Sequence, residues 1–170
     1  LHLCDRRQRQ MCIRDRYEPQ ATEEQINERQ KYLLDIIGSK GRRRIDVSWS
    51  HYDTTILEAV LARGDRKLSA VIYEAWKNGC KLDGWNEYFK PDIWNAAFEK
   101  FGIDKAFYAN RKREYDEIAP WEHMDMLFDR GFLVRENIKA HEEKTTANCR
   151  EKCAGCGINK CLGRACFKYE

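Results

Sequence analysis

The crowding of cysteines near the end of the chain limits its possible folds more than any other sequence feature. Five of the eight cysteines fall within eighteen residues, with glycines at positions 155, 157 and 163 between them. The five are Cys149, Cys153, Cys156, Cys161 and Cys166. Neither helical nor strand periodicity explains this crowding, whereas glycine beside cysteine lets the backbone turn sharply enough for neighbouring thiolates to meet at one ion or cluster. The sequence therefore predicts a Cys-rich metal-binding tail over residues 144–170.

Four thiolates are enough to ligate tetrahedral zinc or a cubane iron–sulfur cluster. The gaps between the five cysteines are three, two, four and four residues, tighter than in a zinc ribbon, and they do not decide between the two metals. The alternatives are a flexible reduced tail or, in an oxidising compartment, a set of disulfides. The N-terminal stretch lacks the apolar core of a secretory signal, so we expect a cytoplasmic protein, where clustered cysteines are more often metal ligands.

Residues 1–16 differ from the rest of the chain. They contain the segment MCIRDR, which resembles translated adaptor sequence at the ends of fragments assembled from environmental DNA. We expect them to be a non-native or disordered leader, so that Cys4 and Cys12 carry no functional weight. Without the five arginines and two aspartates of this stretch, 26 basic and 26 acidic residues remain, and the formal charge of +3 does not favour nucleic-acid binding.

The pattern of residues 17–143 predicts a mainly α domain. Thr22 and Gln25 form a capping-box pattern, apolar residues follow at helical spacing, and Gly38 is expected to end the helix. The alternation over residues 45–49 predicts one short β-strand. Further helix boundaries are expected at Asp53 or Thr54, Gly64, Asp65, Pro91, Gly102 and Asp104, with a last helix over residues 131–143. Trp76, Trp85, Trp94 and Trp121 are expected in the core.

A few other polar residues are candidates for chemistry. They are His51, Asp53, Cys80 and His123. A histidine beside a capping aspartate is more often a surface residue than a catalytic one, and a cysteine after a glycine is more often a packed thiol than a nucleophile. The basic run 40–44 could contact phosphate, although such a run is usually a solvated turn. No apolar run approaches eighteen residues, so no membrane partner is expected.

Several motifs in order resemble a family of uncharacterised radical S-adenosylmethionine proteins, whose members often carry an N-terminal cobalamin-binding domain. They are the run SWSHYDTTILEAVLARGDR at 48–66, DGWNEYF at 83–89, PWEHMD at 120–125, and Thr146 with the cysteines at 149, 153 and 156. The similarity covers about residues 22–160. It implies that the chain is the helical C-terminal extension, and so a fragment, of a larger α/β barrel enzyme. The partner of this fragment is then the missing N-terminal barrel of the same protein.

The resemblance also implies where the parent's cofactors lie. S-adenosylmethionine, the catalytic 4Fe-4S cluster and possible cobalamin belong to the full-length parent only, and the fragment alone should be inactive. Cys149, Cys153 and Cys156 share the spacing of the catalytic cluster motif, but Gly155 replaces the usual aromatic residue and only fourteen residues follow Cys156. The tail therefore suits an accessory iron–sulfur or zinc site. Family tails end Cys-x2-Cys-Gly-x-Cys, so the fourth ligand is open here, with Cys161 favoured over Cys166.

The substrate of such a parent is unknown, and an RNA-related one is a minor expectation. The alternative to the enzyme fragment is a non-enzymatic helical interaction module with a structural zinc knuckle.

Overall fold

The computed structural model describes the backbone of residues 16–41, 45–125, 127–163 and 166, and their side chains apart from 39–41, 161 and 162. The described residues are mainly helical, as the sequence predicts. The helices are α1 (Glu23–Gly41), α2 (Tyr52–Arg63), α3 (Leu68–Lys77), α4 (Pro91–Lys100), α5 (Lys105–Ala109), α6 (Arg130–His141) and α7 (Ile158–Leu162).

The chain divides into two compact units. Pro19–Arg111 form one, called the helical unit below, and Arg16–Glu18 with the described residues from Lys112 onward form the other, called the cysteine unit. The contacts thus divide the chain before Pro19 and after Arg111, whereas composition suggested divisions after residues 16 and 143. Residues 1–15 of the expected leader lie outside the described residues, but Arg16 forms an ion pair of 2.7 Å with Glu122 in the cysteine unit.

Apolar packing of α2–α5 forms the core of the helical unit. It consists of Ile56, Leu57, Val60, Leu68, Val71, Ala75, Cys80, Trp94, Ala97, Phe98, Tyr108 and Ala109. Within a helix, such as Leu68, Val71 and Ala75 in α3, the core positions are three or four residues apart, which places them on one face of the helix. Arg63 is also buried, and its guanidinium donates a hydrogen bond of 2.6 Å to the carbonyl of Ala109, linking the end of α2 to α5.

Local signals in the sequence explain most of the helix ends. The Thr22 and Gln25 side chains exchange hydrogen bonds with each other's backbone N–H, so the capping box is confirmed. Gly38, where the helix was expected to end, has φ +62° and breaks the helical geometry, although α1 continues beyond it to Gly41. After α4 the chain turns through Gly102 at φ +61°, and Ile103 N–H bonds the carbonyl of Phe98, a Schellman ending that glycine permits.

The start of α2 differs from the prediction. His51 is the residue before the first turn and makes no side-chain cap, while Asp53 and Thr54 lie inside the helix. Asp53 as an N-cap was therefore wrong, although its carboxylate in the first turn still interacts favourably with the positive end of the helix dipole. The predicted cap at Asp104 is confirmed by a hydrogen bond of 2.8 Å from the N–H of Ala106.

The predicted strand over residues 45–49 is wrong, because this segment is irregular. Its apolar residues Ile45 and Trp49 are 52% and 46% exposed, so the apolar side of the alternating pattern does not pack against a core. A strand also needs a partner, and no strand occurs among the described residues.

Two of the tryptophans expected in the core are at the surface. Trp76 and Trp85 are 54% and 64% exposed, whereas Trp94 is buried as predicted. Trp121 is partly buried in the cysteine unit, with the guanidinium groups of Arg16 and Arg113 each 5.7 Å from its ring centroid. Helical spacing alone predicted burial for Trp76, but its side of α3 faces away from the core.

Candidate metal centre

The loop Cys153–Gly157 has the local geometry of a metal-binding knuckle. The N–H of Gly155 points at the Sγ of Cys153, 3.4 Å away. Gly155 and Gly157 have φ of +67° and +97°, which residues with a side chain rarely adopt. A backbone N–H directed at a cysteine sulfur stabilises negative charge on it, and this is the form in which cysteine ligates metals. The loop, called the knuckle below, therefore fits part of a thiolate site.

The knuckle is held against the first turns of α6. The N–H of Asp129 donates a hydrogen bond of 2.8 Å to the carbonyl of Cys156. Ala154 and Cys156 pack against the buried cluster of Tyr17, Phe132 and Leu133. This part of the predicted tail is consequently anchored to the fold by both polar and apolar contacts.

Asp129 links the knuckle to the beginning of α6. Its carboxylate accepts a hydrogen bond of 2.8 Å from the N–H of Gly131 and so caps the helix, while its own N–H contacts Cys156. A Cβ placed on Gly157 would lie 3.1 Å from the Asp129 nitrogen. The close approach and the positive φ together explain why glycine occupies position 157.

The described side chains of the other tail cysteines, Cys149 and Cys166, do not complete a site. Cys149 is partly buried at the start of a turn in which the Asn148 carbonyl accepts hydrogen bonds from Glu151 and Lys152, and Cys166 is exposed. Cys161 lies on α7, and its side chain is outside the described part of the chain. Among the described side chains, no three histidine, cysteine or acidic residues are grouped so that they could hold a metal ion. The knuckle thus places Cys153 and Cys156 in one short loop, and the role of all five tail cysteines as ligands stays a prediction.

The cysteine unit has a small apolar core supplemented by polar contacts. Tyr17, Phe132 and Leu133 are its clustered buried residues, and the rings of Tyr17 and Tyr115 meet edge to face at 4.9 Å. Next to this core, the fully buried amide of Asn137 accepts a hydrogen bond of 2.6 Å from the Tyr115 hydroxyl and donates one of 2.9 Å to Glu18.

Glu18 also accepts a contact of 2.8 Å from the Nε2 of His141. Burial alone would raise the pKa of the Glu18 carboxyl, but the hydrogen bonds from Asn137 and His141 and the charge interactions with His141 and Lys112 outweigh it, so the pKa is lowered. The charged form of Glu18 therefore contributes to holding residues 16–18 on α6.

The structure also describes the surroundings of two other candidate residues, Cys80 and His123. Cys80 is buried directly after Gly79, whose φ of +97° ends α3, and its N–H bonds the carbonyl of Ala75. Burial raises the pKa of its thiol, the Asp83 carboxylate adds to this, and Lys90 opposes it. The prediction of a packed thiol is confirmed.

His123 is exposed, and its Nδ1 lies 2.9 Å from the Pro120 carbonyl.

The helical unit contains a small cavity beside the start of α2. Its volume is about 10 Å³, roughly the space of one water molecule, so it cannot admit a metabolite. The lining residues are Asp53, Ile56, Leu57, Phe89, Pro91, Trp94, Asn95, Phe98 and Lys105. Asp53 therefore does not open onto a substrate pocket here.

Two residues beside the candidate metal centre, Asp129 and Arg135, were not predicted from the sequence. Asp129 could have been found, because an aspartate two residues before a glycine at a helix start is a recognisable N-cap. Arg135, which contacts the knuckle, carries no such signal, since its role depends on tertiary contacts. The side chains of the basic run 40–44 lie outside the described part of the chain, so phosphate contact there stays a prediction.

No family model, no curated protein and no solved structure matches the chain. Within the described part of the chain, none of the helices combines the length and the apolar character needed to cross a lipid bilayer.

Proposed function

We propose that the chain is the C-terminal region of a radical S-adenosylmethionine enzyme and that its cysteine unit carries an accessory iron–sulfur or zinc site. The observation that carries the proposal is the knuckle, in which Gly155 and Gly157 have positive φ and the N–H of Gly155 points at the Sγ of Cys153, in the same short loop as Cys156. The motif order in the sequence supports the choice of family.

The ligands of this site would be Cys149, Cys153 and Cys156, with Cys161 as the fourth and Cys166 in reserve. The described side chains do not form the full set, so the proposal requires that Cys149 and the chain after Gly157 close on the knuckle when metal binds. Metal bound there would cross-link the tail or, as an iron–sulfur cluster, exchange electrons. The chain's own part is to hold the thiolates together and exclude water on the side that faces Phe132 and Leu133.

The size of the apolar core gives the proposal a second support. Small units with few buried apolar residues usually need a disulfide or a structural metal in addition to their core. The cysteine unit has three clustered buried residues and four cysteines among its described side chains, Cys149, Cys153, Cys156 and Cys166. A metal would supply the cross-link that its packing lacks.

In the parent enzyme, the catalytic cluster, S-adenosylmethionine and possible cobalamin would lie in the barrel that this region packs against, in a reducing cytoplasm. The fragment alone would then bind metal and lack activity, and the substrate could be RNA-related. The second candidate function is a non-enzymatic interaction module with a structural zinc knuckle. The knuckle geometry favours it equally, because it depends on no part of a barrel.

The test is anaerobic reconstitution of the whole chain with iron and sulfide or with zinc, followed by metal analysis. We expect about one site per chain, lost in the Cys153→Ser/Cys156→Ser variant and retained in Cys80→Ala, which removes a cysteine from the helical unit. A brown protein with visible charge-transfer absorption favours the radical-enzyme fragment, and a colourless zinc protein favours the module. Absence of both metals from wild type, or equal metal content in the double variant, would refute the metal site.

A further inference from the structure

Arg135 lies on α6, 20 residues before Gly155 in the sequence, yet its side chain reaches the centre of the knuckle. Its Nη2 donates a hydrogen bond of 3.1 Å to the carbonyl of Gly155, the residue directly before Cys156. A Cβ built on Gly155 would lie 3.9 Å from the same nitrogen. The guanidinium therefore faces the short segment that joins the two cysteines.

The position of the Arg135 side chain is fixed by its own helix. Its guanidinium carbon is 5.9 Å from the ring centroid of Phe132, a buried residue of the small core. Its Nη1 would be 3.7 Å from a Cβ on Gly131, so the guanidinium lies along the first turn of α6. An arginine held by a ring on one side loses less freedom when it binds a carbonyl than a free lysine would.

We propose that Arg135 is a positioning residue for the metal site: it fixes the Gly155 carbonyl and so keeps Cys153 and Cys156 in ligating orientation, while its charge offsets the negative charge of the thiolates. The proposal rests on the proposed function, since it concerns the same knuckle. Residues that orient metal ligands from outside the ligand set commonly change metal affinity by about 10–100-fold when they are replaced. Arg135 is exposed to solvent, so we expect the lower end of that range.

The first measurement needs no metal. In the metal-free chain, hydrogen–deuterium exchange of the segment 153–157 should be several-fold faster in Arg135→Met than in wild type, because the bond to Gly155 is gone. The matched control is Lys139→Met, which removes one positive charge from the same helix but contacts Glu136 and Thr146 instead of the knuckle. It should leave exchange over 153–157 unchanged.

The second measurement is the affinity for Zn²⁺, determined by competition with a chromophoric chelator. Arg135→Met should bind about tenfold more weakly than wild type. Arg135→Lys should recover part of this loss at low salt and little of it at high salt, because it keeps the charge but not the planar fork. Lys139→Met should match wild type.

The two measurements separate this inference from the proposed function. If wild type takes up no metal but Arg135→Met loosens the knuckle, the metal site is refuted and the positioning contact stands. If wild type binds zinc and Arg135→Met alters neither the exchange nor the affinity, the inference is wrong and the metal site stands. An equal loss of affinity in Lys139→Met would also overturn it, since it would reduce the effect to general charge.

Discussion

The two units of the chain are held together in different ways. The helical unit buries a cluster of twelve residues from α2–α5 and their connections, whereas the cysteine unit clusters three and relies on hydrogen bonds such as those of Asn137. Apolar packing is non-directional and needs no cofactor, but hydrogen bonds with a small core leave a narrow margin of stability. We therefore expect a bound metal to change the stability of the cysteine unit and to leave that of the helical unit unchanged.

The largest expected effect is in the core of the helical unit. Phe98→Ala removes a buried ring that packs near Trp94, 6.4 Å between centroids, and should cost about 3–5 kcal/mol of unfolding free energy. Urea denaturation followed by the far-ultraviolet signal of the helices measures it. Phe107→Ala, at a ring that is 52% exposed, is the control and should cost much less. A metal content lowered by Phe98→Ala in the folded protein would contradict the independence of the two units.

A smaller effect is expected in the polar part of the cysteine unit. Asn137→Ala leaves the Tyr115 hydroxyl and the Glu18 carboxylate without a buried partner, which should cost about 1–3 kcal/mol. Hydrogen exchange of α6 with and without the substitution measures this locally. The exposed Asn78, whose side chain bonds the carbonyl of Glu74, provides the control, and its alanine variant should change stability by a few tenths of a kcal/mol. Equal effects of the two variants would show that burial of the Asn137 hydrogen bonds adds nothing to stability.

The smallest effect depends on pH. The pKa of Glu18 is lower in the folded chain than its ordinary value of 4.5, so its contribution is present above that value and is lost as the pH falls through the lowered pKa. In metal-free protein, wild type should therefore exceed Glu18→Gln in stability at neutral pH, and the difference should shrink below about pH 4.5. Thermal unfolding at several pH values checks this. If the stability difference between wild type and Glu18→Gln grew on acidification, the pKa of Glu18 would be raised in the folded chain instead of lowered.

Features with local causes were predictable from the sequence, and features with tertiary causes were not. The capping box at Thr22 and the cap at Asp104 each follow from a few neighbouring residues, and the structure confirms them. Gly38 likewise breaks the helical geometry, although α1 continues to Gly41. The strand over 45–49 was predicted from alternation alone, which does not show whether a partner strand exists. Exposure of Trp76 depends on which neighbours α3 meets, and helical spacing does not supply that information.

The same distinction applies to the metal centre. Glycine beside cysteine predicted the turn at 153–157, which the structure contains, because positive φ is a local property of those glycines. Convergence of Cys149 and Cys161 on the knuckle is a long-range property that cysteine spacing indicates but does not determine. The contact from Arg135 is likewise long-range, and only the structure reveals it.

The most direct test of the central claim is hydrogen–deuterium exchange of the whole chain with zinc or reconstituted iron–sulfur, before and after a chelator removes the metal. We predict that removal speeds exchange in α6 and in residues 148–162 at least about tenfold, because ligand binding stabilises only the unit that holds it. Exchange in α2–α5 should not change. Unchanged exchange at 148–162, or an equal increase in both units, would contradict the account.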